Sequence, residues 1–346
     1  MDELVAIPER EDPGPTRHRF FHEWRRSPGL TASAGGSLLG SVEPQFIMRG
    51  VSLSADPDQR RRFIFEHANV RGELIHLDHS YQEVLRRHDY PAPVARLLGE
   101  AMAAAGLLAA TVKFQGSLIL QIQGEGPVTM AVASASHASE LRAVARHGEP
   151  DVADGPLAEL CGEGYLAITI DPDESNDRYQ GIVPLKSESL AEAVDGYFAQ
   201  SEQLPTRIWL ACDGESAAGL LLQRLPDAPN PDADAWDRAE HLAGTIRPEE
   251  LLQLPIPDIL HRLFHEEDIR LYAPEPMRFH CPCSRERVAE ALFSLGRAES
   301  ESIVAEQGEI ETHCDFCGQS YVFDPVDVEQ LFSGEGDTTP PGRTRH

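Results

Sequence analysis

The pattern of hydrophobic and polar positions divides the chain into stretches of different character. Up to about residue 58 it shows no sustained period and is rich in Pro, Gly and Ser, as in Pro13-Gly14-Pro15 and Ser27-Pro28-Gly29. Near Arg61 an alternation typical of half-buried strands begins. We therefore predict a flexible N-terminal extension over residues 1–58 and a folded domain after it.

Alternating apolar residues predict several strands in the folded domain. The first two include Phe63, Phe65, Leu74 and Leu77, with a turn at Arg71-Gly72-Glu73. A hairpin is predicted around Gly124-Glu125-Gly126-Pro127. We prefer it to a phosphate-binding loop, because neither Lys-Ser/Thr nor a helix follows. The hairpin strands are Ser117–Gln123 and Val128–Ala133, and the later strands are Tyr165–Asp171, Tyr179–Leu185 and Arg207–Cys212.

Helical spacing of apolar residues predicts helices between these strands, at Tyr81–Arg87, Pro93–Val112 and Ser189–Gln200. Because the helices and strands follow no regular βαβ repeat, the fold class is α+β, with a core domain over residues 59–227. The most apolar stretch, Leu97–Val112, is too short to cross a bilayer and contains Glu100 and Gly106. It predicts a buried core helix.

Residues 228–276 have the pattern of short helices interrupted by prolines. The predicted helices are Trp236–Ile246, Glu249–Leu252 and Ile259–Phe264, each with apolar residues on one side and acidic residues on the others. Helices of this length are marginal in isolation. The segment is therefore predicted to be a metastable linker whose structure depends on packing against a neighbour.

Composition narrows the range of partners and compartments. The chain has 346 residues, 41% of them hydrophobic, which is enough for a sizeable core in two or more units. Its 57 acidic against 30 basic residues give a net charge of −27, which argues against nucleic acid or an anionic membrane as a partner. Residues 1–26 mix acidic residues and arginines with no apolar segment after them, so we expect no secretory signal and a cytoplasmic protein.

Four cysteines near the C-terminus are the most informative chemical feature. Cys281 and Cys283 form one close pair, Cys314 and Cys317 form another, and 30 residues separate the pairs. Four thiolates in two pairs are what a tetrahedral Zn²⁺ site needs. In Cys281-Pro282-Cys283 a single residue separates the thiols, and thiols that close can also leave a metal as a disulfide. The spacing is thus compatible with a structural zinc clip or a redox switch.

Residues 277–333 are predicted to form a small domain around this site, followed by a flexible tail at 334–346. Ser284 can N-cap a helix that runs to Leu295 and stops at Gly296. The side of this helix expected to face inward consists of Val288, Ala291, Leu292 and Leu295. A hairpin is predicted over Ile310–Phe323, with Cys314 to Gly318 at its tip. A last helix is predicted from Asp324-Pro325 to Phe332. Because so few residues make a small core, metal binding is expected to decide whether the domain folds.

The remaining cysteines and the neighbouring histidines allow other arrangements of the cysteine chemistry. Cys161 and Cys212 have no partner spacing and are expected to be buried core thiols. His280 and His313 adjoin cysteines and are alternative ligands. A zinc-ribbon nucleic-acid binder would need a basic surface. A thiol-disulfide oxidoreductase would need a C-x-x-C motif that opens a helix after a strand. A zinc hydrolase would need an open coordination position on its metal. Nothing in the sequence indicates a catalytic triad or paired carboxylates, so we do not expect an enzyme.

Several separate motifs, in one order, resemble a known family. They are RRFIFEHANVRGELIHL at 61–77, QGIVPL at 180–185, YFAQSEQLPT at 197–206, GLLLQRLP at 219–226, LFHEE at 263–267, and the Cys281-Pro282-Cys283-Ser284 and Cys314-Asp315-Phe316-Cys317 pairs. From about Arg61 to Phe332 the chain resembles the redox-regulated heat-shock holdase chaperones of bacteria, the 33 kDa chaperonin family. Residues 1–58 lie outside the resemblance. Either translation begins at Met48, so that the residues before it are not part of the protein, or the extension is a poorly ordered tail.

The resemblance implies a mechanism. In the reduced, inactive protein all four cysteines hold one zinc ion. Peroxide with heat, or hypochlorite, pairs Cys281 with Cys283 and Cys314 with Cys317, and zinc leaves. The zinc domain and linker then unfold, and the linker helices lose their neighbour and expose apolar faces. Unfolding proteins are captured without ATP and later passed to ATP-dependent foldase chaperones, and the family suggests a homodimer in the oxidised form.

Overall fold

A computed structural model describes residues 58–112, 115–148, 151–173, 178–201, 204–226, 232 and 234–333. The predicted N-terminal extension, apart from its last residue, and the predicted C-terminal tail lie outside the described residues. The same holds for residues 227–231, where the predicted core domain meets the linker.

The described residues form fourteen strands and ten helices. The strands are β1 (Gln59–Phe65), β2 (Val70–Leu77), β3 (Gly116–Gly124), β4 (Val128–Ser136), β5 (Glu140–His147), β6 (Gly164–Pro172), β7 (Tyr179–Pro184), β8 (Thr206–Cys212), β9 (Ala217–Arg224), β10 (Ile269–Leu271), β11 (Glu275–Pro276), β12 (Arg278–Phe279), β13 (Ile310–His313) and β14 (Ser320–Phe323). The helices are α1 (His79–Leu85), α2 (Ala92–Thr111), α3 (Leu157–Cys161), α4 (Leu190–Ser201), α5 (Ala235–Ala243), α6 (Pro248–Gln253), α7 (Ile256–Phe264), α8 (Arg285–Leu295), α9 (Arg297–Gln307) and α10 (Pro325–Phe332).

These strands form two six-stranded sheets and one hairpin. The first sheet has the order β10-β1-β2-β9-β8, with β11 also paired to β1, and all its pairs are antiparallel. The second has the order β12-β5-β4-β3-β6-β7, in which the β12–β5 pair is parallel and the other pairs antiparallel. The hairpin β13–β14 stands apart from both. The combination of mainly antiparallel sheets, helices and a small cysteine-bearing unit agrees with the predicted α+β class.

Helix α2 lies in the centre of the core. It packs against β4 and β5 of the second sheet and β8 and β9 of the first, with Leu98, Met102 and Leu107 inaccessible to solvent. By length and composition it is the one described helix that could cross a membrane, yet 78% of its apolar window is buried within the protein. The prediction of a core helix is confirmed.

Arginines of the first sheet bond the C-terminal part of α2. Guanidinium groups on β1 and β2 donate to main-chain carbonyls there: Arg60 to Gly106 (2.9 Å), Arg62 to Ala110 (3.1 Å) and Arg71 to Thr111 (3.2 Å). Cations at a helix C-terminus also complement the negative end of the helix dipole. These contacts connect the first sheet to the central helix.

The linker helices α5, α6 and α7 pack on the opposite face of the first sheet. Phe264 of α7 is fully buried, with its ring centroid 5.1 Å from that of Phe65 and 6.0 Å from that of Phe63. Trp236 and Leu251 join the same apolar cluster, which also includes β9. The short linker helices therefore have the neighbour that they require. This neighbour is the first sheet of the core domain. The expectation that it is the cysteine module is wrong.

One predicted turn is wrong. Arg71-Gly72-Glu73 lies inside β2, and the chain turns earlier, between Phe65 and Val70. Gly72 pairs with Phe63 across the two strands, and a Cβ atom at Gly72 would lie 2.0 Å from the Phe63 ring. Glycine is needed at position 72 because the Phe63 ring approaches the backbone there. In the sequence alone, the same glycine looks like a turn residue.

The inward face of α8 is narrower than predicted. Leu292 is buried, but Ala291 is exposed and 51% of Leu295 remains accessible. The small module covers a single stripe of this helix, so the positions beside the stripe face solvent. No element had been predicted for α9, whose sequence is polar on most sides, or for β5, β9 and α3.

The packing of Phe264 predicts a large effect on stability. We expect Phe264→Ala to lower the free energy of unfolding by about 3 to 5 kcal/mol, because it removes a fully buried ring from the contact between linker and sheet. Phe293→Ala, at a ring that is 43% exposed, is the matched control and should have a much smaller effect. Urea unfolding of the reduced protein measures both, and equal losses would contradict the packing described.

Candidate metal centre

The four predicted cysteines reach one place on two arms of chain. Cys281 and Cys283 follow β12 after one intervening residue, and Cys314 and Cys317 occupy the tip of the β13–β14 hairpin. The tip is a tight loop in which the Gly318 amide donates to the Cys314 carbonyl (2.8 Å) and the Cys314 amide to the Gln319 carbonyl (3.0 Å). Gly318 has φ of +70°, a conformation that glycine adopts without strain.

The first arm is fixed by the start of a helix. The Ser284 hydroxyl caps α8 by accepting a hydrogen bond from the Arg287 amide at 3.3 Å, as predicted, and Gly296 ends the helix with φ of +100°. Because Ser284 is next to Cys283, the cap also restricts the backbone that carries this thiol.

The geometry of the thiols fits a four-coordinate metal. All four Sγ atoms lie within 4.8 Å of one another, with Cys281 to Cys314 at 3.6 Å and Cys283 to Cys317 at 3.3 Å. Sulfur atoms bound to a tetrahedral Zn²⁺ at about 2.3 Å would be roughly 3.8 Å apart. The donor set and its spacing are therefore compatible with zinc.

The other candidate ligands lie outside this group. His280 contacts Glu140 (Nδ1 to Oε2, 3.0 Å) and His313 contacts Glu311 (Nε2 to Oε1, 3.5 Å). Cys161 is buried, as predicted, whereas Cys212 is half-buried. The structure thus brings together the four predicted thiols and leaves both neighbouring histidines with carboxylate partners.

The thiols do not have equal electrostatic surroundings. Burial opposes the Cys283 thiolate, but hydrogen bonds from the Tyr321 hydroxyl and the neighbouring thiols outweigh it, and the pKa of Cys283 is below its ordinary value. Burial raises the pKa of Cys281 and of Cys317, and hydrogen bonds with the other thiols add to the rise. The Cys283 thiolate is thus favoured over those of Cys281 and Cys317, and a bound cation would favour the thiolate form of its ligands.

Tyr321 is a site residue that sequence reasoning missed. It lies on β14 opposite Thr312, and its hydroxyl donates to Cys283 Sγ at 3.2 Å. Hydrogen bonds to metal ligands orient them and adjust their basicity. The signal in the sequence was weak, since a tyrosine four residues after Cys317 looks like any aromatic residue of a hairpin.

The unit around the thiols has a small core of its own. Its buried apolar residues are Leu292, Ile310, Phe323, Val328 and Phe332. Asp324 caps α10 by accepting from the Asp327 amide at 2.8 Å. So small a core contributes little stability, and a metal that joins the two arms would contribute much of the rest.

The loop between Cys314 and Cys317 contacts the core domain directly. The Asp315 carboxylate accepts from Arg146 at 2.8 Å, and the Asp315 carbonyl lies 2.7 Å from Nε2 of His88. The guanidinium of Arg142 lies over the Phe316 ring, 4.2 Å from its centroid. The conformation of the loop that carries Cys314 and Cys317 is therefore coupled to its contact with β5 and with the residues after α1.

The structure thus combines a two-sheet α+β fold with a small module whose four cysteines are positioned to bind a metal ion. Residues 58–324 match the family model described as Hsp33 protein. The chain therefore belongs to the Hsp33 family, which is a family of molecular chaperones, and the resemblance seen in the sequence is confirmed.

Relatives of full length support this assignment. The chain is 49% identical over 295 residues to the 33 kDa chaperonin of Ectopseudomonas mendocina, covering 84% of this chain and 99% of the relative. It is 51% identical over 289 residues to the 33 kDa chaperonin of Nitrosococcus oceani, with the same coverage. A crystal structure of the 33 kDa chaperonin from Thermotoga maritima is similar in fold, with a TM-score of 0.69 at 24% identity over 80% of this chain and 99% of that chain.

The contact between Tyr321 and Cys283 predicts a role in metal binding. We expect Tyr321→Phe to weaken zinc binding about tenfold, since it removes a donor to a ligand sulfur and leaves the ring in place. Competition with a chromophoric chelator measures the affinity. Tyr165→Phe, at an exposed tyrosine of β6, is the control, and affinities equal to that of the unsubstituted protein in both variants would show that the hydroxyl has no such role.

Proposed function

We propose that this protein is a redox-regulated, ATP-independent holdase that binds unfolding proteins when its metal site is oxidised. The observation that carries the proposal is the group of four thiols within 4.8 Å, whose intervening loop contacts the core domain. A chemical change at sulfur is thereby connected to the packing of the larger domain. Membership of a chaperone family supplies the activity that the change would control.

In the reduced state, Cys281, Cys283, Cys314 and Cys317 would hold one Zn²⁺ per chain. The ion supplies positive charge that keeps the four thiolates deprotonated, and it links the two arms of the module. Tyr321 orients the sulfur of Cys283, and the Ser284 cap fixes the adjacent backbone. In this closed state the linker helices cover the apolar face of the first sheet.

Oxidation would remove the ligands in pairs. Two thiolates and one hydrogen peroxide, with two protons, give one disulfide and two water molecules, so each pair loses two electrons to the oxidant. We propose the pairs Cys281 with Cys283 and Cys314 with Cys317, because each pair is close in the chain and the family resemblance implies it. A disulfide sulfur is a poor zinc ligand, and the ion would leave.

Loss of the metal would open the molecule from the module toward the linker. The linker returns to the first sheet through β10 and β11 and continues into β12, which pairs with β5 in the second sheet. A module without its metal cannot keep β12 and the cysteine loop on β5. We propose that the linker is then released and that Phe63, Phe264 and their neighbours become available to clients.

We further propose a cytoplasmic location and partners among other chaperones. Thiols at a zinc site are compatible with the reducing cytoplasm. Clients would pass to ATP-dependent foldase chaperones, and the oxidised chain would form a homodimer. We propose no catalytic role, in keeping with a chaperone family.

Zinc content should depend on the hairpin thiols. We expect one Zn²⁺ per reduced chain and loss of the ion in the Cys314→Ser, Cys317→Ser double variant, because two of four ligands are removed. Metal analysis after gel filtration measures this. Cys212→Ser is the control and should keep its zinc; a full zinc content in the double variant would exclude the site.

Chaperone activity should follow the oxidation state. We expect the oxidised protein to suppress aggregation of a chemically denatured client and the reduced, zinc-loaded protein to be inactive, because the apolar face is covered when the metal is present. Light scattering measures aggregation, and peptide mapping of the active form should show the two local disulfides with Cys161 and Cys212 free. Equal suppression by both forms, or bridges mainly between the two arms, would contradict the mechanism.

A further inference from the structure

The outer edge of β5 is covered by a very short strand. β12 consists of two residues, Arg278 and Phe279, and pairs with β5 at Glu140 and Leu141. Around this pair the Arg278 amide donates to the Ser139 carbonyl (3.1 Å) and the His280 amide to the Leu141 carbonyl (3.0 Å). β5 itself runs for eight residues, so β12 protects one end of the edge.

Beyond this pair, a side chain bonds one main-chain amide of β5, and the loop between Cys314 and Cys317 lies against two arginine side chains of the same strand. The amide of Ala145 donates to the Tyr90 hydroxyl at 3.2 Å. Arg142 and Arg146, on the outward face of β5, contact Phe316 and Asp315. The two covering elements, β12 on the edge and the Asp315-Phe316 pair on the arginine side chains, thus come from the same module and contact the same strand.

Both covering elements adjoin the four cysteines in the chain. Phe279 is two residues before Cys281, and Asp315-Phe316 lies between Cys314 and Cys317. Release of the metal would free both at once. A two-residue parallel pair is a weak interaction by itself, and an uncovered sheet edge pairs readily with another extended chain.

We propose that the edge of β5, with Arg142 and Arg146, is a polypeptide-binding surface on which the metal module lies as a built-in occupant. An extended segment of an unfolded protein, with an acidic residue next to an aromatic one, takes its place when the module leaves. This inference rests on the proposed holdase function and names one of its binding surfaces.

The chemistry of the surface indicates this kind of partner. Main-chain hydrogen bonds to a strand edge do not depend on sequence, which suits clients of varied sequence that share an unfolded state. The two guanidinium groups add a preference, because one forms an ion pair with a carboxylate and the other stacks on an aromatic ring in the closed form. Compact folded proteins have few free extended segments and would be excluded.

The first experiment maps the surface in the unsubstituted full-length chain. The probe is a synthetic peptide of about ten residues with a central Asp-Phe and a benzophenone cross-linker, a length suited to one strand. It is applied to the reduced zinc-loaded protein, to reduced protein stripped by a chelator, and to oxidised protein. We expect cross-links at residues 139–147 in both opened forms and few in the zinc-loaded form; cross-links confined to other regions would overturn the inference.

The second experiment removes the occupant without touching the thiols. Asp315→Ala, Phe316→Ala should bind the peptide while still reduced and loaded with zinc, at least about fivefold more tightly than the unsubstituted protein, because the contacts that hold the loop on β5 are gone. Phe293→Ala, at an exposed ring of the same module, is the control. Unchanged peptide affinity in the double variant with full zinc content would contradict the proposal.

A third comparison tests the arginines and separates this inference from the proposed function. In the opened forms, Arg142→Ala, Arg146→Ala should bind the Asp-Phe peptide about fivefold more weakly, with no effect on a Lys-Ala peptide. Arg178→Ala, near the opposite edge of the sheet, is the control. If oxidised protein suppresses aggregation but cross-links nowhere on β5, the inference fails and the holdase function remains. If chelated protein binds at β5 but oxidation confers no activity, the redox function fails and this surface remains.

Discussion

Two arms of chain meet at four sulfur atoms, and much of the remaining structure depends on that meeting. The unit that they close has five buried apolar side chains, too few to stabilise it well without help. A tetrahedral ion at the sulfurs would link Cys281 and Cys283 to the hairpin tip, and the same link would fix the loop that contacts β5. A small change in sulfur chemistry thus has consequences well outside the module.

The core domain offers two surfaces to the rest of the chain, and they differ in character. The linker covers an apolar face of the first sheet that includes Phe63, whereas the four-cysteine module contacts two arginine side chains of the second sheet, Arg142 and Arg146. The first contact is strong and non-directional, and the second is directional and easily broken. A net charge of −27 would keep the opened protein soluble while the apolar face is accessible.

Local signals in the sequence predicted much of this structure. Ser284, Gly296 and Asp324 correctly placed α8 and the start of α10, and the spacing of the cysteines predicted that the four thiols lie together. Tertiary relations were harder to predict. Gly72 looked like a turn because its reason, the Phe63 ring, is on another strand, and Tyr321 carried no pattern that pointed to Cys283. The packing partner of the linker helices also depends on tertiary structure. The pattern of an amphipathic helix predicts that one face is buried, but it does not identify the surface that covers this face.

We propose that the metal keeps the linker on the first sheet, although the cysteines and the linker helices lie in different parts of the molecule. Hydrogen exchange measured by mass spectrometry, on reduced zinc-loaded and on oxidised full-length protein, tests it directly. We expect α5, α6 and α7 to lose most of their protection on oxidation, together with the four-cysteine module, while α2 and β3 keep theirs. Unchanged protection of the three linker helices in a protein that has lost its zinc would contradict it.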